Sequence, residues 1–247
     1  MRRNLHLQYL RLKRSFWKRA HRLRHGDEFF ICRYANAQFI VRLVNFMDRE
    51  IGSGTYDWDR LEVLLGACRR LRPELFIDIG ANSGLYSCII VKNDLAPRAI
   101  AFEPDRRNAV MLKANVLING LDDRIDVREV GVGARPGRMK LVPGPQQDTG
   151  LSRMAGAADG HAAAGYMVDI VPLDDVVDLS GRTIAIKIDV ERYELQALAG
   201  MTRTLRHNRG VVQIESWETR KDVVGIMADC GYRVIADLRP DVIFEKA

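Results

Sequence analysis

The chain reads as an α/β protein: a seven-stranded, mostly parallel sheet with helices on both faces and an antiparallel hairpin at the C-terminal end. Three observations predict this. From Leu75 onward, short apolar runs alternate with stretches of helical periodicity, which implies parallel strands joined by crossover helices. The run Leu75 to Ser87 passes from an apolar strand through Asp78-x-Gly80-x-Asn82-x-Gly84 into a helix, the opening of a nucleotide-binding βαβ unit. Near the C-terminus, Arg239-Pro240-Asp241 separates two apolar runs, Tyr232 to Ala236 and Val242 to Phe244, as a hairpin would.

The 247 residues, 47% of them apolar, suit one large domain with a small extra lobe. Three segments are expected: a basic arm (1–26), a hairpin and helix packed on the core (27–72), and the nucleotide-binding body (73–247). The arm carries nine Arg and Lys residues and no acid, so of the net charge of +6 the rest of the chain holds −3. Leu5, Tyr9, Leu12, Phe16, Ala20 and Leu23 recur at three- and four-residue steps along the arm, as on one face of a helix. Three readings of that basic amphipathic helix stay open. It lies on an anionic membrane surface, a reading that Trp17 favours, or it guides the protein to nucleic acid, or it packs on its own domain.

Glu28 to Arg33 and Gln38 to Leu43 read as two strands joined by a tight turn, and Gly52-Ser53-Gly54-Thr55 as a second turn. Asp57 to Leu71 is a helix with Trp58, Leu61, Leu64, Leu65 and Cys68 inward, capped by Asp57 or Thr55 and ended by Pro73. Strand one ends at Ile79 and its helix spans 84–92. Strand two is 99–103, followed by a helix from Asn108 to Asn119, and strand three is Ile125 to Val132. Arg138 to Val142 and Met167 to Val171 are further strands. The connection between them, Pro143 to Gly165, is too long for a simple link and is therefore functional or mobile, with a low-complexity stretch at Ala155 to Gly165. Strand four is Thr183 to Ile188, with a helix from Tyr193 to Arg206. Strand five ends at Glu215, and a last helix runs from Lys221 to Cys230.

The glycine turn differs from a dinucleotide fingerprint, because no third glycine follows Gly84 and Asp78 sits inside it. A carboxylate there repels a pyrophosphate but welcomes an amino group or a sulfonium, which favours S-adenosylmethionine (SAM) over NAD. The glycines, lacking a Cβ, would let the backbone approach the ligand. Phe102-Glu103-Pro104 places an acid 25 residues after Asp78, at the end of strand two, where a carboxylate takes both hydroxyls of a ribose. The plainer reading is that Glu103 caps the helix after Pro104.

A third motif is Lys187-Ile188-Asp189-Val190-Glu191. Together with Asp78-Ile79-Gly80-Ala81-Asn82-x-Gly84-x-Tyr86 and Phe102-Glu103-Pro104, it resembles the FkbM family of SAM-dependent methyltransferases, over about Phe76 to Glu215. The resemblance implies a class I (Rossmann-like) methyltransferase fold and O-methylation of a hydroxyl on a saccharide, glycan precursor or related secondary metabolite. It implies cofactor contacts from Asp78, Gly80, Ala81, Asn82, Gly84, Tyr86, Glu103 and Val132. It also implies that the early hairpin and helix roof the site, with Tyr56 and Trp58 facing the acceptor or, alternatively, packing in the core, and that Gly150-Leu151-Ser152 lies near it. One position departs: the family usually has Gly after Asp-Val-Glu, and this chain has Arg192, a long cation that would narrow the pocket or touch an anionic acceptor.

Methyl transfer requires alignment and removal of the hydroxyl proton. Asp189, Glu191 and Glu215, at the carboxyl ends of neighbouring strands, are the candidates for the base. Asp189 comes first, with Lys187 or Arg192 orienting the acceptor. The structural alternative is a Lys187–Glu191 ion pair with Glu194 capping the next helix. No metal is assigned, since no histidine accompanies Asp189 and Glu215. Cys32, Cys68, Cys88 and Cys230 form no C-x-x-C pair, which argues against zinc or disulfides and for a reducing compartment. With no apolar run near the roughly 20 residues of a membrane span and no secretory leader, the expected place is the cytoplasm, peripheral at the inner membrane surface if the arm binds there. The rival functions are a nucleic-acid methyltransferase guided by the arm, which the negative body opposes, and a non-catalytic SAM-binding or interaction module in which Arg192 closes the acceptor pocket.

Overall fold

The structure, a computed structural model, describes residues 28–155 and 164–247 together with His21 and Gly26. The amphipathic reading of the basic arm and most of the low-complexity stretch lie outside the described residues.

Strands β1 (Phe29–Tyr34) and β2 (Ala37–Arg42) form an antiparallel hairpin. Its two-residue turn is Ala35-Asn36, both with positive φ (46° and 70°), the geometry that a right-twisted hairpin requires. Asn115 and Asn119 fasten β2 to the body: Ile40 N–H donates to Asn115 Oδ1 and Gln38 N–H to Asn119 Oδ1, each at 2.8 Å. The expected turn at residues 52–55 is the end of a helix, Phe46–Ser53. Asn45 caps its start, accepting from Asp48 N–H, and Gly54 closes it at φ 68°. The next helix, Trp58–Leu71, has Asp57 at its N-cap position but no side-chain cap. The Asp57 carboxylate is drawn away by Arg60, with which it forms an ion pair, and by the Tyr86 hydroxyl at 3.2 Å.

The main sheet has strands β3 (Leu75–Ile79), β4 (Ala99–Phe102), β5 (Ile125–Arg128), β10 (Thr183–Ile188), β11 (Arg209–Glu215), β12 (Arg233–Leu238) and β13 (Asp241–Lys246). Their order is β12-β13-β11-β10-β3-β4-β5, all parallel except β13, which runs antiparallel between β11 and β12. The chain order thus reverses between β3 and β10, and ligands of open α/β sheets bind at such a point. One face carries Phe76, Ala185, Val211 and Ile243 against helices Trp58–Leu71 and Leu85–Lys92. The other carries Ile77, Ile79, Ile186 and Ile214 against the helices that follow β10 and β11.

Side chains alternate across a strand, so Asp78, Lys187 and Gln213 share the first face as register neighbours, and Asp189 and Glu215 follow on the same side. The antiparallel β13 brings Asp241 opposite Glu215. A row of polar groups therefore crosses an otherwise apolar sheet at its carboxyl edge.

Two expected elements are broken. Strand three stops at Arg128. The chain then leaves the sheet edge, and β6 (Gly131–Val132) joins a second sheet with β7 (Gly137–Val142), β8 (Arg153–Met154) and β9 (Tyr166–Val171). The helix after β10 is two helices, Glu194–Ala199 and Thr202–His207. They part at Gly200, which packs so closely that a Cβ there would stand 2.0 Å from the Gly133 carbonyl oxygen. The Asp174 carboxylate starts the second one, accepting from Arg203 and Thr204 N–H at 2.8 Å.

Candidate active site

Gly80 to Gly84 form the loop between β3 and helix Leu85–Lys92. Gly80 has φ 81°, and a Cβ on it would lie 1.8 Å from the Asp189 carbonyl oxygen. Gly84 has φ 82°, and its Cβ would meet Leu112 Cδ1 at 2.2 Å. Both glycines are thus demanded by the protein's own neighbours, and Gly80 also lines the cleft. The loop is pinned from below: Gly80 and Ala81 N–H donate to the Phe102 carbonyl at 2.9 and 3.0 Å. Ala81 itself is buried.

Glu103 completes this turn. One carboxylate oxygen accepts from Asn82 N–H and the other from Asp105 N–H, both at 2.7 Å. Burial pushes its pKa up to about 8 against the pull of those two donors. Asp105, and not Glu103, caps helix Arg106–Ile118. Asp78 does not line the cleft as expected. It is buried beneath the loop, where Ser87 donates to it through N–H (3.1 Å) and Oγ–H (2.6 Å), and burial raises its pKa to about 6. Tyr86 also lies beneath, its hydroxyl donating to Asp57 and accepting from Gln213 Nε2 at 3.1 Å. Val132, with Ile79, Phe102, Pro104, Leu141 and Met154, lines an apolar recess that meets the main cleft at Gly80.

That cleft, about 160 Å³, is lined by five carboxylates, Glu103, Asp148, Asp189, Glu191 and Glu215, and, among the described residues, by no Lys or Arg. Glu215 has its pKa raised to about 8, first by burial and then by the Asp189 charge; the Trp217 indole N–H, 2.9 Å from its Oε1, opposes the rise. Glu191 is raised to about 7 by burial and Asp189. Tyr56 lines the same cleft, whereas Trp58 packs in the core, its ring 6.2 Å from that of Tyr34.

Neither expected cation reaches this space. Lys187 is 2% exposed, with Nζ 3.1 Å from Asp189 Oδ2 and 3.7 Å from Asp241 Oδ1. Burial works against its charge, but Asp189, Asp241, Glu215 and Asp57 outweigh it and hold the proton firmly. The alternative Lys187–Glu191 pair is therefore replaced by Lys187–Asp189. Arg192 turns outward, 71% exposed, toward Glu218 at 3.4 Å. Glu194 accepts from Arg192 N–H at 2.8 Å and from Thr219 Oγ at 3.1 Å, holding the turn after Glu191.

The remaining lining was not assigned from sequence: Met47, Asn108, Asp148 and Thr149, which with the expected Gly150–Ser152 stretch roof the cleft. Asn45 and Asn108 donate to Thr149, and Ser152 Oγ donates to the buried Asp105 carboxylate at 2.7 Å. The excess length of the 143–152 segment was its one sequence signal. Among the described residues, no group of three or more His, Cys, Asp or Glu side chains is arranged to hold a metal ion, and no helix is long and apolar enough to cross a membrane.

A family profile described as the methyltransferase FkbM domain matches residues 78–234. Among solved structures, a methyltransferase FkbM from Methylobacillus flagellatus is 21% identical, with a TM-score of 0.49 over 70% of this chain; the chain spans only 43% of that protein. A precorrin-6y C5,15-methyltransferase from Geobacter metallireducens is 17% identical, TM-score 0.45, over 76% of this chain and 88% of its own. A Pyrococcus abyssi tRNA (uracil-54, C5)-methyltransferase in complex with S-adenosyl-L-homocysteine is 15% identical, TM-score 0.49, over 89% of this chain and 43% of its own. No curated protein sequence matches.

Proposed function

The chain belongs to the FkbM family of SAM-dependent methyltransferases, and from that premise we propose that it methylates a hydroxyl oxygen of a saccharide or related neutral polyol in the carboxylate-lined cleft. The observation that carries this is the lining itself: five carboxylates and, among the described residues, no cation. Such a wall accepts hydrogen bonds from hydroxyls, gains negative charge that favours a sulfonium as its acids ionise, and offers a polyanion no cation among the described residues. It therefore speaks against nucleic acid as the acceptor. The non-catalytic reading loses its premise, since Arg192 points away from the cleft.

The donor set fits SAM. Once ionised, Glu103 would have a free lone pair on each oxygen for two ribose hydroxyls. The apolar recess at Val132 would suit an adenine ring, and Asp189 or Asp148 would hold the amino group. Bound there, SAM supplies an activated methyl group with a neutral thioether as leaving group. The chain's part is alignment and proton removal. The cleft would hold the acceptor hydroxyl in line with that methyl group, and the hydroxyl proton would pass to one of the carboxylates. Glu215 suits that role better than Asp189, because Asp189 is committed to Lys187, whereas Glu215 has a pKa near 8, closer to that of a useful base.

The test is calorimetric titration with SAM, S-adenosylhomocysteine and NAD of the parent chain and Glu103→Ala, followed by assay of S-adenosylhomocysteine release on a glycan panel. Saturable SAM binding weakened at least tenfold in Glu103→Ala, with turnover on a glycan, is expected. Binding of NAD in place of SAM, or transfer to tRNA alone, sinks the proposal.

A further inference from the structure

Trp217 stands two residues beyond Glu215, at the lip of the cleft, with 70% of its surface exposed. A single exposed apolar residue is ordinary and carries nothing by itself. What sets Trp217 apart is its tether. Its indole N–H donates to Glu215 Oε1 at 2.9 Å, and Glu215 lines the cleft. The segment beneath is also fixed: Ser216 N–H donates to the Pro240 carbonyl at 3.1 Å, and the Ser216 and Thr219 hydroxyls are 3.0 Å apart. Thr219 in turn holds Glu194. The polar edge of the indole is therefore engaged while its apolar face stays in solvent, one hydrogen bond away from the proposed base.

We propose that Trp217 is the acceptor platform, on which a pyranose ring lays its C–H face while the hydroxyl to be methylated reaches Glu215. The inference rests on the glycan reading above and deepens it. A pyranose presents an apolar face of axial hydrogens and a rim of hydroxyls. An indole face matches the first by burial of apolar area, and carboxylates accept hydrogen bonds from the second. A nucleobase could also stack on an exposed indole, but its phosphates would meet Glu191, Glu215 and Glu218 around the same lip. The exposed Arg192 side chain is already paired with Glu218. The tether gives Trp217 a second role as a positioning residue: a donor to the Glu215 carboxylate stabilises its charged form and helps to aim it.

Two variants separate the two roles. Trp217→Phe keeps an aromatic face and loses the N–H donor; Trp217→Ala loses both. The full chain, saturated with S-adenosylhomocysteine, is titrated with neutral methyl pyranosides and separately with tRNA while tryptophan emission is followed. Methyl transfer from SAM to the same pyranosides is then measured across pH. Pyranosides should change the emission of the parent protein but not that of Trp217→Phe, whose remaining tryptophans are Trp17 and Trp58. In Trp217→Ala the pyranoside KM should rise about tenfold. Trp217→Phe should keep KM within about twofold, while the acid limb of its kcat profile moves to higher pH, because the charged form of Glu215 has lost a donor. An emission response to tRNA but to no pyranoside, or equal KM in Trp217→Ala and the parent, overturns the platform. A pyranoside response at Trp217 without any methyl transfer upholds the platform and sinks the glycan methylation reading instead, so the two failures are distinguishable.

Discussion

Gly80 and Asp189 are in backbone contact across the switch point of the sheet: a Cβ on the glycine would stand 1.8 Å from the aspartate's carbonyl oxygen. The cofactor loop and the carboxylate strand are thereby locked to each other, and any side chain at position 80 must force them apart. Gly80 also holds a φ of 81°, which costs an L-residue strain of its own. Gly80→Ala should therefore lose about 3 kcal/mol of stability or more, read from denaturant midpoints. Any folded fraction should bind SAM at least tenfold more weakly in calorimetry. A variant of parent stability and affinity would show that β3 and β10 are not coupled through this contact.

Arg192 makes the opposite case. It occupies a left-handed backbone position, φ 72°, next to Glu191 at φ 45°. A glycine fits such a position without strain, so the family's usual residue there has a backbone reason. The side chain leaves the cleft and makes an exposed pair with Glu218, a contact worth about 0–1 kcal/mol. Arg192→Gly relieves roughly 1–2 kcal/mol of strain and adds roughly 0.5–1 kcal/mol of unfolded-state entropy. Thermal unfolding should show a change between about 1 kcal/mol of destabilisation and about 1.5 kcal/mol of stabilisation, with methyl transfer kept within about threefold. A collapse of turnover would mean that the guanidinium reaches the acceptor after all.

These two positions also show what could be read from the sequence. The glycine turn, the acids at strand ends and the seven strands follow from short apolar runs and local turn chemistry, although strand three is cut at Arg128 and Asp78 lies beneath its turn. Lys187 was visible as a cation inside an apolar strand. Its partners were not, because they depend on the cross-strand register that puts Lys187 beside Asp78 and Gln213 and on Asp241 arriving from an antiparallel neighbour. The direction of Arg192 is set by a φ that no side-chain pattern announces. The roof, Thr149–Leu151 and its flanks, is a single turn of 3-10 helix without periodicity, held by asparagines from two distant segments. Gly200 read as a helix residue because its close partner, Gly133, belongs to another element.

The ligand-free protein should lose stability as pH rises from about 5 to about 8. Glu103 is held protonated by burial, its pKa lifted from 4.5 to about 8, with Glu215 to about 8 and Glu191 to about 7 in the same sense. Above pH 4.5 the unfolded chain releases these protons while the folded chain keeps them. The folded state thus binds more protons, and stability falls with pH until the folded pKa values are passed. Each group contributes at most about 1.4 kcal/mol per pH unit. At the acid end the sign reverses, because Asp105, hydrogen-bonded to Arg107, Ser152 and Tyr166, has its pKa lowered and stabilises only while ionised. Thermal scans should peak near pH 5, and Glu103→Gln should flatten the slope above it. An unchanged slope in that variant would place the proton elsewhere.

Glu215 and Asp189 divide the chemistry in a way that kinetics can separate. If Glu215 takes the hydroxyl proton, the rate should climb with pH and level off near its pKa of about 8. Glu215→Gln should cut kcat by a factor of about 10² to 10⁴ while leaving SAM affinity unchanged in calorimetry. Asp189→Asn acts differently. The Asp189 charge is, after burial, the next cause of the raised Glu215 pKa, so its removal makes Glu215 easier to ionise and the acid limb should move to lower pH. The lost partner of the buried Lys187 will cost stability as well, because a desolvated charge is left with less compensation. Loss of turnover in Asp189→Asn with Glu215→Gln still active would assign the proton to Asp189 and make Glu215 a spectator of the acceptor.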